Sequence, residues 1–208
     1  MALVHTQMVP VTSFPRVDEY LAGLPAGLSS HPDALAKAAL LRRALSERPI
    51  GRDHVVALPP VIRDVVTCPP LDGEWVRDVW LACVLLAIAD VYEMTDEVYL
   101  SWMRDLNTRM FMTLFRPLMK VASAEDLVRC TAERWSVFHR GSSLTIQEAV
   151  RGRCIAHLAF PQRLFHGLAL RQFVPVFEAA IRMSDPEGRV ALAASSDVGA
   201  SFAVNWRA

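Results

Sequence analysis

Lysine is nearly missing from this chain of 208 residues. Lys37 and Lys120 are the lysines, every other basic side chain is arginine, and 22 Lys+Arg balance 22 Asp+Glu. A net charge of zero leaves no global field to attract nucleic acid or an anionic membrane, so neither is an expected partner. The preference for arginine, with abundant alanine, follows the coding bias of a GC-rich genome, and Arg42-Arg43 and Arg151-x-Arg153 read as solvated faces. No C-x-x-C spacing links Cys68, Cys83, Cys130 and Cys154. They read as reduced core residues rather than a zinc or disulfide set, which points to the cytoplasm. The start, Met1-Ala2-Leu3-Val4-His5, lacks the basic region and apolar run of a signal peptide. The longest apolar run, Val79 to Ala89, is well short of the roughly 18 residues that span a bilayer. A glycine-rich phosphate loop is also lacking, since the nine glycines are scattered at turns.

What is present is apolar: 52% of residues are hydrophobic, enough for a substantial core. Residues 1–30, broken by Pro10, Pro15, Gly23, Pro25 and Gly27, read as an irregular N-terminal arm with one short helix over 17–24. Residues 31–208 read as a single domain. Ser30-His31-Pro32-Asp33 predicts a helix start, with Leu35, Ala38, Leu41 and Leu45 as its apolar face to about Glu47. A shorter helix is predicted from Pro59-Pro60 to the Pro69-Pro70 stop. From Gly73 the chain is strongly helical and, around Val79 to Ile88, apolar nearly all round, which demands cover on every side; a homodimer through the helical half would supply it. Thr95 or Asp96 caps the next helix, whose stripe of Tyr99, Trp102, Met103, Leu106, Met110, Phe111, Leu114, Phe115 and Leu118 reads as adaptable core packing rather than a ligand pocket. Pro117 is expected to bend or end it.

Ser123 with Glu125 and Asp126 predicts a capped helix carrying Leu127, Cys130, Trp135 and Phe138 on one face, with Gly141 as its stop. The period then changes from 3.6 to 2. Leu144 and Ile146, then Cys154, Ala156, Leu158 and Phe160, alternate with polar or small residues about an Arg151-Gly152 turn, as in a hairpin. A helix from Pro161 through Ile181, disturbed at Pro175, separates it from a second hairpin over Val190–Ala194 and Phe202–Trp206. The fold class is therefore α+β: a helical half (31–139) packed on a small antiparallel sheet of about four strands within a hairpin-helix-hairpin segment (142–206).

The block Arg134-Trp135-x-x-Phe138-x-x-Gly141, with Thr145, Pro161-x-x-x-Phe165-x-Gly167 and Phe202-x-Val204-x-Trp206, resembles a family of uncharacterised myxobacterial proteins of about this length. That family is similar to the ligand-binding superfamily of haem–nitric-oxide sensors, 4-vinyl-reductase-like sensor domains and small TRAPP subunits. The resemblance covers about 95–206 and implies a sensory, ligand-binding role. Haem sensors of this kind hold the propionates with Tyr-x-Ser-x-Arg and the iron with a helix histidine. Tyr20, Tyr92 and Tyr99 carry no such motif, so haem is not the expected cofactor, and the cofactor stays unassigned.

Other chemistry has little support in the residues. Cys154 and His157 fall on opposite faces of one strand, and Ser142 and Ser143 near His139 lack an acidic partner or nucleophile elbow. The residues favour a non-catalytic cytoplasmic sensory or adaptor domain in bacterial signalling. It would present a pocket for a small apolar ligand, or a sheet surface, to a protein partner. The alternative is a cofactor-binding protein or enzyme using His139, Arg140, His157 and His166. Candidate binding residues are His139, Arg140, Thr145, Gln147, His157 and His166, with no catalytic or metal set named.

Overall fold

A computed structural model describes residues 13–114 and 123–207. The first helix, α1 (Pro15–Gly23), starts at a proline whose missing N–H is no loss in a first turn. Phe14, Val17, Tyr20 and Leu24 bury against the rest of the chain, and the Tyr20 hydroxyl donates to the Leu164 carbonyl at 2.9 Å. The stretch read as an irregular arm thus carries an anchored helix, and residues 1–12 lie outside the described residues.

The chain continues through β1 (Leu35–Lys37), α2 (Ala38–Glu47), α3 (Arg52–Val55), α4 (Pro60–Thr67), β2 (Trp75–Arg77) and α5 (Asp78–Val91). The helices predicted to begin near Ser30 and Gly73 therefore start later, each after a three-residue strand. β1 pairs antiparallel with β2 and also with a strand much further along the chain. Three residues carry no periodicity of their own, so distant partners decide their conformation. In α5, every residue from Asp78 to Asp90 except Trp80 is buried, under α1, α2 and α4 among others. The chain itself supplies the cover that was the argument for a dimer.

Next comes α6 (Asp96–Leu114), which buries Tyr99, Trp102, Met103 and Leu106; the expectations for Phe115, Pro117 and Leu118 fall outside the described residues. α7 (Ala124–Glu133) opens with a capping box: Ser123 Oγ accepts from the Asp126 N–H, and Asp126 Oδ2 accepts from the Ser123 N–H, each at 3.1 Å. After α8 (Trp135–Phe138) the chain enters β3 (His139–Arg140), the second partner of β1. Gly141 is consequently not a helix stop. Its φ is +74°, and a Cβ there would sit 2.9 Å from Ala34 Cα, so glycine serves a close approach of two backbones.

The larger sheet is antiparallel, with β4 (Ser143–Val150), β5 (Arg153–Ala159), β6 (Arg189–Ser196) and β7 (Gly199–Asn205) in the order β4-β5-β7-β6. Leu144, Cys154, Ala156, Leu158, Val190, Phe202 and Val204 bury on its inner face. Between the hairpins lie α9 (Gly167–Arg171) and α10 (Phe173–Ile181), where one helix from Pro161 was expected. Pro175 is the third residue of α10, where no intrahelical bond is lost. α10 packs on α6 and β6, and α7 packs on β4. The fold is α+β, with helices in the N-terminal half and a four-stranded antiparallel sheet in the C-terminal half. No helix of the described residues is long and apolar enough to cross a membrane.

Candidate functional site

Where α7 and α8 lie over α2, α6 and α10, they leave a cavity of about 290 Å³. This is close to the lower end of small-molecule sites, roughly 300–1,000 Å³. Leu40, Leu81, Phe111, Leu127, Phe138 and Phe177 form its apolar walls. Its polar lining includes Asn107, Cys130, Arg134 and His139. Asn107 is buried and donates from Nδ2 to the Met103 carbonyl at 2.8 Å. Cys130 is a free, half-buried thiol one helical turn before the exposed Arg134.

His139 is held from several sides. As the first residue of β3 it sits opposite Ala36 of β1. Its ring stacks on Trp135 at 4.3 Å between centroids and 13° between planes. Trp135 is itself fixed, donating from Nε1 to Ser142 Oγ at 3.0 Å and packing against Phe173 and Phe177. His139 Nδ1 lies 3.3 Å from Oδ1 of Asp78. Asp78 opens α5, where an acid opposes the positive end of the helix dipole. Tyr20 is close enough to feel that carboxylate: burial first, then the charges of Cys83 and Asp78, push its phenol well above the usual value. Burial alone pushes the Cys83 thiol up to about 12.

The six residues singled out from the sequence fall in separate places. His139 is in the cavity wall. Arg140 turns to the other side of the small sheet, its guanidinium 4.1 Å from the Trp75 ring. Thr145, Gln147 and His157 lie on the face of the four-stranded sheet opposite its buried residues, with His157 Nδ1 3.2 Å from Ser201 Oγ. His166 stacks on Tyr20 at 5.0 Å and contacts the Arg163 carbonyl through Nδ1 at 2.7 Å. Its Nε2 is sealed against Gly23, where a Cβ would come within 2.1 Å. His139, Arg140, His157 and His166 thus form no common cluster.

Sequence reasoning missed Asp78, Asn107, Cys130 and Arg134 as site residues. It also assigned Met110 and Phe111 to core packing, whereas both line the cavity. A lone acid at the head of an otherwise apolar run was the one available signal, and it singles out Asp78.

No family model and no curated protein matches the chain, so the likeness to a myxobacterial family has no match behind it. Solved structures do match. An H-NOX protein from S. oneidensis in the Fe(II)NO ligation state is 11% identical with a TM-score of 0.53, covering 83% of this chain and 99% of that one. An unliganded Fe(II) H-NOX variant from K. algicida is 10% identical at 0.55, covering 83% and 97%. A structure showing modulation of haem redox potential by protein-induced porphyrin distortion is 8% identical at 0.54, covering 81% and 97%. At these identities the likeness is one of fold.

That likeness corrects one expectation. Haem was set aside because Tyr-x-Ser-x-Arg is missing, yet the matched structures include haem proteins of this fold. The cavity wall carries side chains of the types that hold such a group. Imidazole and thiolate both ligate haem iron, and His139 and Cys130 offer one of each from the cavity wall. Arg134 in the lining is a cation that can face a carboxylate, whereas the Lys37 ammonium is turned to the Gly73 carbonyl and the Trp75 ring; aromatic and aliphatic side chains supply the apolar contact.

Proposed function

We propose that this chain is a cofactor-binding sensory domain whose ligand occupies the cavity between α7 and α10, and that haem is the cofactor. One observation carries the reading: an apolar cavity with His139 and Cys130 in its wall, in a fold shared with haem-bearing H-NOX structures. Bound there, haem would supply an iron centre able to take a small gas or change oxidation state. The protein's part is to hold the macrocycle among Phe111, Leu127, Phe138 and Phe177, to offer a donor, and to keep bulk water from the iron. A porphyrin is larger than the cavity as it stands and requires α7 to move outward from α10. α7 suits that movement, because Ala124 is its one fully buried residue. The outer sheet face bearing Thr145, Gln147 and His157 has no part in this reading.

The test is titration of the purified protein with hemin, followed by the Soret band and by quenching of tryptophan fluorescence, Trp135 being in the cavity wall. Saturation at one equivalent is expected, together with its loss in Leu127→Trp, which fills the cavity. Native mass spectrometry on the protein as isolated completes the test. Absence of saturable hemin binding, or a retained ligand of another class such as a lipid, would overturn the haem assignment.

A further inference from the structure

We propose that the outer face of the small sheet is a docking surface for an acidic segment of a protein partner, a reading that stands whether or not the cavity takes haem. The register sets the two faces. Leu35 lies opposite Arg77 on one side and Arg140 on the other, and Lys37 lies opposite Trp75, so these five side chains share one face. Ala36, Val76 and His139 share the other; Ala36 and Val76 are buried, and Ala36 and His139 line the cavity. On the outer face Arg140 is exposed and the other four are half-buried. Successive residues of β3 thus reach opposite sides of a sheet one layer thick, and a segment docked outside shares its strands with the cavity wall.

The outer face gathers cations without acids. Lys37 Nζ lies 3.9 Å and the Arg140 guanidinium 4.1 Å from the centre of one ring, that of Trp75. The Arg77 guanidinium lies 4.9 Å from the centre of the Trp80 ring. None of the three forms an ion pair among the described residues, although Arg16, Arg42, Arg104 and Arg171 each do. Of the neighbouring acids, Asp72 is paired with Arg42, Glu74 accepts from the Leu71 N–H, and Asp33, just ahead of β1, pairs with none of these cations. Two positive groups drawn to one ring repel each other, a cost that carboxylates bound between them would remove. A guanidinium held over an indole also keeps its N–H donors, and those of Arg77 and Arg140 meet no protein acceptor among the described residues. Lys37 has one, the Gly73 carbonyl. In a chain of zero net charge this concentration is local, so it selects a partner at contact distance. Three cations are too few for the run of phosphates on which nucleic-acid affinity rests. The indoles are half-buried beneath their cations, which leaves no projecting apolar wedge for a bilayer. Arginine and tryptophan around Leu35 are instead the residues that dominate protein interfaces, and their charge calls for aspartate or glutamate opposite.

The experiment titrates the full chain, without hemin, into a short fluorescein-labelled peptide that alternates glutamate with leucine, followed by fluorescence anisotropy. Its glutamine counterpart, a single-stranded DNA and phosphatidylserine vesicles are the other probes. Saturable binding of the glutamate peptide at one equivalent is expected, weakening as NaCl is raised, with no binding of the glutamine peptide. Arg77→Glu and Arg140→Glu should each weaken it by about 10-fold or more, whereas Arg151→Glu, the same charge change on the turn between β4 and β5, should leave it unchanged. In NMR spectra the indole N–H signals of Trp75 and Trp80 should move on binding, and that of Trp135, in the cavity wall, should not. Where a reversal variant fails to fold, Arg77→Gln and Arg140→Gln carry the same test with a smaller loss. Equal binding of the glutamine peptide, equal loss in Arg151→Glu, or movement confined to Trp135 overturns the docking surface. Absence of saturable peptide binding overturns it too, and tighter binding of the DNA or the vesicles through Arg77 and Arg140 overturns the choice of a protein partner. None of these readouts involves hemin, so the cavity reading and this one fail separately.

Discussion

α5 and α7 both reach the cavity, α5 through Leu81 and α7 through Leu127, Cys130 and Thr131, and they are built on opposite terms. α5 is apolar on nearly every side and buried on nearly every side, and its one early acid, Asp78, lies 3.3 Å from His139 Nδ1. α7 is amphipathic, buries Ala124 alone, leaves the rest half-buried or exposed, and owes its start to a capping box. Packing that is complete around one helix and partial around the other leaves a rigid wall facing a yielding one. A ligand site needs both: a fixed element to set the donor geometry, and an element whose displacement disrupts little when the ligand enters. Both helices line the cavity, and His139 follows α7–α8 with its Nδ1 3.3 Å from Asp78 of α5.

The largest effect is expected in α5. Leu85, 1% exposed in the middle of that helix, has no neighbouring space into which the structure can relax. Leu85→Ala should lower the free energy of unfolding by about 2–5 kcal/mol, the transfer and cavity cost of a fully enclosed leucine. Urea denaturation gives the number directly. A loss below about 1 kcal/mol would mean that α5 is no stiffer than α7, and the contrast would collapse.

A smaller effect is expected at α7. Ser123→Ala removes the side-chain oxygen that accepts from the Asp126 N–H and should lower stability by about 1 kcal/mol. Hydrogen exchange is the sharper readout: protection should fall in the first turn of α7 and stay unchanged in α5. Equal loss in both helices would show that they open as one unit, against the idea of a separately yielding wall.

The helices and the two hairpins were legible because each carries a period long enough to count. Leu144 to Phe160 alternates over two strands, and the run from Val79 to Ala89 can only be buried. The small sheet was not legible. Leu35-Ala36-Lys37 looks like the first turn of α2 until Trp75–Arg77 and His139–Arg140 are brought beside it by the rest of the fold. Gly141 was read as a helix stop for the same reason, since its contact with Ala34 exists only in three dimensions. The site was hidden more deeply. A cavity is missing packing, and Cys130, Met110 and Phe111 carry the same apolar signal whether they face another side chain or empty space. Only charge inside an apolar context marks such a place in sequence, and Asp78 is that mark. His139 was singled out for its position at a change of period, without the carboxylate that lies 3.3 Å from it.

The smallest expected effect separates the two helices by pH. Asp126 has its carboxyl held below the usual carboxylate range, first by the Ser123 hydroxyl and then by the Ser123 backbone N–H. A carboxylate depressed in the folded state contributes stability that is fully present above its unfolded value, about 3.9, and is lost as pH falls through the lower folded value. The stability difference between wild type and Asp126→Asn should therefore be constant from neutral pH to about 5 and shrink steadily below about 4. The deficit of Leu85→Ala, which involves no titrating group, should keep its size over the same window. Paired denaturation curves for the two variants from pH 7 down to the start of acid unfolding supply the measurement. A pH-independent Asp126→Asn difference would mean that the capping box does not hold the carboxylate in its charged form, and the yielding wall would need another account of how its first turn is kept in place.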